Sequence, residues 1–188
     1  MKRPLFTIVL LALAVALFAD EYDWQQRRHS FNVSVGLPSL YSTIIGGHSW
    51  SFYIAPPSTN PSGNSNAEIF CGSYAAEYGY NILRWLSIGA QLNYEYWTGG
   101  YRTTDVNLLA MVNFTYINRE HITLYSGLGT GVGLHIDKRA NGAIEGTYLP
   151  SFILTPIGLR AGNEKVYGMV ETNIGAGSCI RVGIGARF

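Results

Sequence analysis

The chain has 188 residues, and its 13 Lys and Arg side chains against 12 Asp and Glu give a formal net charge of +1. This balance argues against nucleic acid and against a strongly acidic surface as partners. Only 13% of the residues are charged, while 22 are Gly and 13 are Tyr, which is typical of strands that face lipid on one side and a crowded interior on the other.

The first predicted element is a secretory signal peptide at residues 1–19. Two basic residues precede an apolar run from Leu5 to Ala19, and acidic residues follow at once. The run is short for a membrane-spanning helix and has the length of the apolar part of a signal peptide. We expect export by the general secretory pathway with cleavage after Ala19 or, alternatively, Ala16, and one domain in residues 20–188. An uncleaved anchor is the other interpretation.

Eight segments that alternate between apolar and polar residues follow, and each is predicted to form a β-strand. They lie at residues 29–37, 67–80, 85–97, 105–117, 122–136, 148–159, 166–175 and 179–188. In the sixth segment, Pro150 and Pro156 each remove a hydrogen-bond donor, so we predict a bulge there and assign no faces. No further long apolar run follows the signal peptide, so transmembrane helices are not expected.

The connections between these segments alternate in length. Three are short, with the sequences NILR, NRE and RAGNEK, whereas residues 38–66 and 137–146 form longer loops. Short turns at one end, longer loops at the other and an even strand count are typical of outer-membrane barrels. The predicted fold is therefore all-β, an eight-stranded antiparallel up-and-down transmembrane β-barrel in which the last strand pairs with the first. A soluble sandwich is the alternative, but it would have to bury several carboxylates or expose rows of apolar side chains.

Aromatic residues are predicted to form two belts at the membrane–water interfaces. The belt near the short turns contains Tyr78, Tyr80, Trp85, Tyr116 and Phe188, and the belt near the loops contains Tyr94, Tyr96, Trp97 and Tyr101.

Four segments carry a family resemblance: LYSGLGTGVG (124–133), LTPIGLRAG (154–162), MVETNIGAG (169–177) and VGIGARF (182–188). With them, most of the mature chain resembles the small outer-membrane β-barrel proteins of Gram-negative bacteria, the OmpA/OmpX-like group, especially porin-like members from Bacteroidetes. The resemblance implies an outer-membrane location and a C-terminal signal, carried by Ile184 and Phe188, that the barrel-assembly machinery reads. It implies almost nothing about activity.

Polar residues on the inward faces are the first candidates for chemistry: Glu77, Gln91, Glu95, Tyr125, Glu171, Arg181 and Arg187. We interpret them as a polar network that fills an interior too narrow for a water channel; a proton or ion path is the alternative. A hairpin centred near Gly177 would place Glu171 opposite Gly183 and diagonal to Arg181, within reach of a charge-assisted bond. Inward glycines in the fifth strand would make room for large side chains from across the barrel: Gly127, Gly129, Gly131 and Gly133.

A structural or surface-interaction role in the cell envelope is the first functional hypothesis. The expected partners are outer-membrane lipids, the barrel-assembly machinery and an unidentified extracellular ligand or surface, with the protein a monomer. Three aromatic residues of the 38–66 loop, Trp50, Phe52 and Tyr53, could form an interaction surface or fold over the barrel mouth. A narrow pore, or a carrier that admits small hydrophobic ligands through a lateral opening, is the alternative.

A lipid-modifying enzyme is the second alternative, because His135, Asp137 and Glu145 lie near one another at the loop end of the fifth strand. Lipid A deacylases of similar size carry a His and a Ser two positions apart near this place. Here the second position is Asp137, which is not a nucleophile, so we expect no enzyme. We also expect no cofactor and no metal, since the histidines lack ligand spacing.

Cys71 and Cys179 are predicted to be unbridged. An exported chain with two cysteines favours a disulfide, but their strands flank the first strand, which separates the backbones by about 10 Å. Bridged Cα atoms lie within roughly 7 Å of each other. We therefore expect two thiols shielded inside the barrel.

Overall fold

The computed structural model describes residues 28–40, 69–98, 102–119, 121–138, 144–163 and 165–188. Eight antiparallel strands in this part form a closed barrel in sequence order, which confirms the predicted fold. They are β1 (His29–Gly36), β2 (Ile69–Leu83), β3 (Leu86–Thr98), β4 (Arg102–Asn118), β5 (Ile122–Lys138), β6 (Ile144–Gly162), β7 (Val166–Gly175) and β8 (Ile180–Arg187). Among the described residues there is no helix of the length and apolarity that crossing a membrane requires.

Burial in this barrel is inverted relative to a water-soluble protein. Polar side chains such as Asn32, Gln91 and Thr155 are buried in the lumen, whereas Leu108, Val132 and other apolar residues are exposed on the outer wall. Strand alternation produces this arrangement, because successive side chains point to opposite faces of the sheet. An apolar outer wall around a polar interior is what a barrel surrounded by lipid requires.

The aromatic belts are present with one correction. Tyr78, Trp85, Tyr116 and Phe188 are exposed near the short turns, and Tyr94 is exposed near the loops. Trp97, which we assigned to the loop-side belt, is instead buried in the lumen, where its indole N–H donates to Glu95. Its position has the same parity as Glu95, so strand alternation turns it inward. Tyr101 lies outside the described residues.

The sixth strand is longer than predicted and contains the expected bulge. It starts at Ile144, which pairs with Lys138, so both ends of the predicted 137–146 loop are strand. The register with β7 shifts between Leu154 and Ile157, next to Pro156. The inward face changes parity there, which explains why no single alternation fits the segment. Its buried residues are Ser151, Ile153 and Thr155 before the shift and Gly158 and Arg160 after it.

The wall of the barrel has unequal height. β1 and β8 have 8 residues each and β7 has 10, whereas β4, β5 and β6 have 17, 17 and 19. The pairing of β6 with β7 begins at Ile153 and Gly175, so residues 144–152 extend beyond it toward the loop end. The β4–β6 side is therefore tall and the side of β7, β8 and β1 is low.

The inward glycines of β5 make room for side chains of the neighbouring strands β4 and β6, not for side chains from across the barrel as predicted. A Cβ at Gly127 would collide with the amide of Asn113, and one at Gly129 would collide with the sulfur of Met111. The lumen is thus packed with side chains on this side rather than left open.

Candidate functional site

The centre of the lumen holds an ionic network that joins strands from both ends of the chain. Glu171 and Arg181 are direct cross-strand partners in the β7–β8 hairpin. We predicted Gly183 opposite Glu171, and this register is wrong by two residues because the hairpin is centred on Ala176 rather than Gly177. The pairing of Glu171 with Arg181 is consequently closer than the diagonal that we expected.

Arg181 lies between two carboxylates. Its Nη2 donates to Glu77 Oε2 at 3.0 Å, and its Nε donates to Glu171 Oε2. The hydroxyl of Tyr125 donates to the other oxygen of Glu171. All four side chains are buried to 98% or more. Charges at such depth are tolerated only when they are paired and hydrogen-bonded, and this arrangement meets both conditions.

Arg160 is a second cation of the network, and the sequence did not reveal it. Its Nη2 is 3.5 Å from Glu77 Oε1, and its guanidinium lies 4.3 Å from the ring centroid of Tyr125. Two carboxylates are thereby balanced by two guanidinium groups. We missed Arg160 because the faces of β6 were unassigned; the parity change that Pro156 imposes would have placed it inward.

Two amides complete the shell of Glu77. Asn113 Nδ2 donates to Oε1 at 3.2 Å, and Asn32 Nδ2 donates to Oε2 at 3.4 Å. Alternation in the sequence places both asparagines on inward faces, but it does not indicate which carboxylate they contact. With these bonds, both oxygens of Glu77 accept from two donors each, so its charge is fully solvated by protein.

Arg187 lies apart from this centre, toward the short turns. Its Nη2 donates to Thr123 at 3.1 Å, and its guanidinium lies 4.9 Å from the ring of Tyr167. The guanidinium of Arg160 lies 5.4 Å from the centroid of the same ring. Tyr167, another inward residue that we did not predict as part of the network, therefore lies near both guanidinium groups.

The loop end of the lumen is closed by a cap, which we define as residues 176–179 of the β7–β8 connection together with Pro38 and Ser39. The cap folds inward: Asn93 Nδ2 donates to the carbonyl of Ala176 at 3.1 Å, and the hydroxyls of Ser73 and Ser178 are 2.6 Å apart. Ala176 of the cap packs in a small apolar cluster with Leu109, Met111 and Ile153. The sequence GAGS at residues 175–178 consists of small residues, which leave room for this connection to fold into the barrel. This composition is the feature from which the cap could have been predicted.

Glu95 bonds directly to the cap, and Gln91 is linked to it through Asn93. Glu95 accepts the backbone N–H of Ser39 at 3.2 Å and the indole N–H of Trp97 at 3.0 Å. Gln91 Nε2 donates to Asn93 at 2.6 Å. Of the seven predicted lumen residues, the structure therefore joins Glu77, Tyr125, Glu171 and Arg181 in one centre and distributes the other three along the barrel axis.

His135 lies between two carboxylates at the loop end. Its Nδ1 is 2.5 Å from Asp105 Oδ1, and its Nε2 is 3.2 Å from Asp137 Oδ2. The hydroxyl of Thr103 donates to Asp137 at 2.9 Å rather than to the ring. Glu145 is opposite Asp137 in the β5–β6 register and is exposed. In the part of the chain that the structure describes, the contacts of the imidazole nitrogens are to these two carboxylates.

The two cysteines are unbridged, but only one is shielded. Cys71 was predicted to point inward; it is exposed, because it occupies a register shift between Phe70 and Gly72 where the strand bulges. Gly72 has φ +148°, a value that L-residues rarely adopt. Cys179 lies on the cap and is partly buried, and this burial raises the pKa of its thiol above the ordinary value.

The C-terminal residues meet the first strand. The backbones of His29 and Phe188 exchange two hydrogen bonds of 2.9 Å, and their rings stack with centroids 5.7 Å apart. Ile184 is exposed on the outer wall. The predicted signal peptide and the loop residues Trp50, Phe52 and Tyr53 lie outside the described residues.

No protein-family model matches the chain, and no curated protein matches it. Among solved structures, the chain is similar to the N-terminal β-barrel domain of Pseudomonas aeruginosa OprF, with a TM-score of 0.51 and 10% identity over 86% of this chain and 98% of that one. It is also similar to Ail, the attachment invasion locus protein of Yersinia pestis, with a TM-score of 0.48 and 14% identity over 86% and 97%. These neighbours are outer-membrane eight-stranded barrels, and the likeness to the OprF domain supports the fold alone.

Proposed function

We propose that this chain is a monomeric barrel of the Gram-negative outer membrane, of the porin-like kind found in Bacteroidetes, with a closed lumen and a structural or surface-interaction role. It is exported by the general secretory pathway and inserted by the barrel-assembly machinery. The observation that carries this proposal is the filled interior, because a barrel whose lumen is occupied along its axis presents only its outer wall and its loops to partners.

Two levels of the lumen oppose ion passage. At the centre, an ion would have to separate Arg181 from Glu77 and Glu171, and breaking a buried pair of this kind costs about 3–5 kcal/mol. Nearer the loops, the apolar cluster that contains Leu109 and Met111 packs with Ala176 of the cap. These obstacles favour a closed barrel over a narrow pore.

The tall side of the barrel supports a role in surface interaction. Beyond its pairing with β7, β6 exposes Tyr148 by 79% and Ile144 by 67%. Exposed apolar and aromatic residues at the loop end are of the type that protein and ligand interfaces use.

Catalysis is less well supported. Both nitrogens of His135 face carboxylates, and hydrolysis of a lipid ester needs a hydroxyl or a water activated by the imidazole. Mass spectrometry of lipid A from cells that express the chain would test this alternative directly; we expect unchanged lipid A, and any shortened form would support an enzyme.

Conductance measurements separate a closed barrel from a pore. Refolded protein in planar bilayers should give no discrete current steps under conditions in which a general porin conducts. Regular steps that disappear on heat denaturation would contradict the proposal.

A deletion strain separates the two roles within the proposal. We expect the deletion to weaken the envelope against detergent or to reduce cell attachment. The deletion strain is complemented either with the full-length protein or with a variant in which residues 45–60 are replaced by a short Gly-Ser turn. Detergent resistance should return in both complemented strains, whereas attachment should return only with the full-length protein. A deletion strain indistinguishable from its parent in both assays would contradict both roles.

A further inference from the structure

The loop ends of β4 and β5 carry a chain of acidic and imidazole groups that is separate from the ionic centre. His135 and Asp105 are direct cross-strand partners, and His135 Nδ1 is 2.5 Å from Asp105 Oδ1. The other ring nitrogen, Nε2, is 3.2 Å from Asp137 Oδ2, two positions further along β5. The imidazole thus bridges a carboxylate of β4 and a carboxylate of β5.

This geometry requires a particular protonation state of the ring. An ionised carboxylate only accepts hydrogen bonds, and a neutral imidazole has one N–H, so a neutral ring can donate to one carboxylate at most. Both ring nitrogens of His135 lie at bonding distance from carboxylate oxygens. Only the imidazolium form makes both contacts, so the arrangement is a binding site for one proton.

The three side chains form a path from the barrel interior to water. Exposure of the side chain rises from 5% at Asp105 to 17% at His135 and 41% at Asp137. His135 lies thirteen positions after Ile122, the first residue of β5. In strands that rise about 3.3 Å per residue and tilt by about 40°, this places the ring about 33 Å along the barrel axis, beyond an apolar band of about 25 Å. The surrounding water can therefore exchange protons with the ring while Asp105 stays buried.

The described titratable groups that face the site from neighbouring elements are acidic: Glu95 on β3, Glu145 on β6 and Cys179 on the cap. Glu95 is the direct cross-strand partner of Asp105, and Glu145 is the direct partner of Asp137. Like charges directly opposite each other destabilise a sheet. These pairs of carboxylates are therefore favourable only while a positive charge lies beside them.

The described basic residues of the same strand ends, Arg102 and Lys138, do not face the site. They are opposite each other in the β4–β5 pairing, and both are exposed. Their positions have the opposite parity to Asp105 and Asp137, so strand alternation turns their side chains to the outer face.

Asp105 depends on the bound proton more than Asp137 does. Its Oδ1 contacts His135, whereas its Oδ2 is buried without a hydrogen-bond partner in the described part of the chain. A buried carboxylate is tolerated only when it is paired and hydrogen-bonded. Loss of the proton would leave Asp105 beside Glu95 with one hydrogen bond, at most, from a neutral ring.

We infer that His135, Asp105 and Asp137 form a proton-operated latch, which fixes the loop ends of β4 and β5 and releases them when the surrounding pH rises. The end of β6 is released with them, because Thr147 pairs with His135 and Glu145 pairs with Asp137. The latch is a property of the folded barrel and goes beyond the proposed function.

The direction of the pH dependence follows from the ring. The hydrogen bond with Asp105 is the main cause that raises the pKa of His135 above its ordinary value of about 6.5, although partial burial opposes this shift. A group whose pKa is raised on folding stabilises the fold below its ordinary pKa, and this contribution is lost as the pH rises through the raised value. The latch is therefore closed in acidic medium and open in alkaline medium.

Hydrogen exchange of the refolded barrel in detergent micelles tests the latch. The wild type is compared with His135→Gln, which carries no charge at any pH, and with His121→Gln, a control at the short-turn end where His121 contacts the carbonyl of Gly162. Protection is measured at pH about 6 and about 9 and corrected for the intrinsic exchange rate. We expect protection of the loop ends of β4 and β5 to fall about tenfold over this range in the wild type and in His121→Gln, as for the loss of one partly buried ion pair. In His135→Gln it should be low at both pH values, while the β1–β8 seam stays protected in all three proteins.

Asp137→Asn is the second variant, and it serves also if His135→Gln does not fold. Asp137 is substantially exposed, and its replacement leaves the contact between His135 and Asp105 in place. The substitution removes a carboxylate that contributes to the raised pKa of His135, so the loss of protection should begin at a lower pH than in the wild type. Heat-modifiability establishes that each variant is folded.

Four results would overturn the inference: equal protection of the wild type at both pH values, the same pH-dependent loss in His135→Gln, an onset of the loss that Asp137→Asn leaves unchanged, or an equal loss at the β1–β8 seam, which would indicate global unfolding. Fractionation of cells that express the wild type is a separate readout. A wild type absent from the outer membrane contradicts the proposed function, whereas correct fractionation with pH-independent exchange contradicts this inference alone.

Discussion

Arg181 and Glu77 form a 3.0 Å ion pair across the lumen although they are 104 residues apart and belong to strands that β1 separates. The pair joins the last strand to the first hairpin from inside the barrel. The seam between β8 and β1 is therefore held by side chains as well as by its backbone ladder.

Replacement of Arg181 by Leu should destabilise the barrel by about 3–5 kcal/mol. The reason is that Glu77 and Glu171 would both stay buried after losing the guanidinium group that pairs with them. The free energy of unfolding in urea, followed by loss of the heat-modifiable form, measures the effect. Arg181→Lys keeps the charge but loses one of the two directed contacts, so we expect an intermediate loss. Unaltered unfolding of Arg181→Leu would show that the network does not stabilise the fold.

Gly129→Val should prevent or severely weaken folding. The new side chain would overlap Met111 and Ile153, and overpacking in a filled interior costs about 1–3 kcal/mol or more. Gly168→Val is the matched control, since the nearest atoms to a Cβ there are 3.8 Å away. Refolding yield into detergent micelles compares the two variants, and equal yields would mean that the lumen beside β5 has spare volume.

Deletion of Phe188 should lower the amount of heat-modifiable barrel in the outer membrane. The deletion removes both the stacking on His29 and the last backbone pair of the β1–β8 ladder. Phe188→Tyr preserves the ring and the ladder, so it should assemble nearly as well as the wild type. A deletion variant with normal yield would count against an assembly role for this residue.

The two thiols of the folded barrel should react at different rates with a small alkylating reagent. Cys71 is exposed, whereas burial raises the pKa of the Cys179 thiol and thereby lowers its thiolate fraction at neutral pH. Raising the pH from about 7 to about 9 should therefore accelerate labelling of Cys179, as its thiolate forms. Peptide mass spectrometry after timed alkylation resolves the two sites.

Glu95→Ala provides the control for that measurement. It removes the acceptor of the Ser39 N–H and a negative charge that contributes to the raised pKa of Cys179, so labelling of Cys179 should become faster at neutral pH. Cys71 should be unaffected. Equal labelling of both cysteines in the wild type, or an absence of labels after unfolding without reductant, would contradict the unbridged, half-shielded arrangement.

Alternation of apolar and polar residues was sufficient to predict the strands and the direction of most side chains. Glu77, Glu171 and Arg181 point inward because their positions share a parity with other polar residues of their strands. Alternation does not predict the register between neighbouring strands. For this reason we placed Glu171 opposite Gly183. The register of β7 against β8 depends on how many residues form the connection that folds into the barrel. This number is set by how the cap packs in the lumen.

Irregular positions account for the remaining errors. A single bulge at Cys71 turns one residue outward, and the shift at Pro156 reverses the parity of half a strand. Only the shift at Pro156 reverses which side chains point inward at every position that follows it in the strand. Arg160 was missed for this reason, although prolines in the sequence marked the strand as irregular.

The short seam strands have a consequence for the surrounding bilayer. Eight residues at about 3.3 Å each, tilted by about 40°, span roughly 20 Å, which is less than the apolar band of about 25 Å on outer-membrane barrels. In the proposed membrane location we expect the hydrocarbon layer to thin beside β1 and β8 to match the wall, and to keep its thickness beside β4–β6. Such hydrophobic mismatch on one side gives the molecule a preferred tilt and concentrates membrane deformation at the line where the barrel closes.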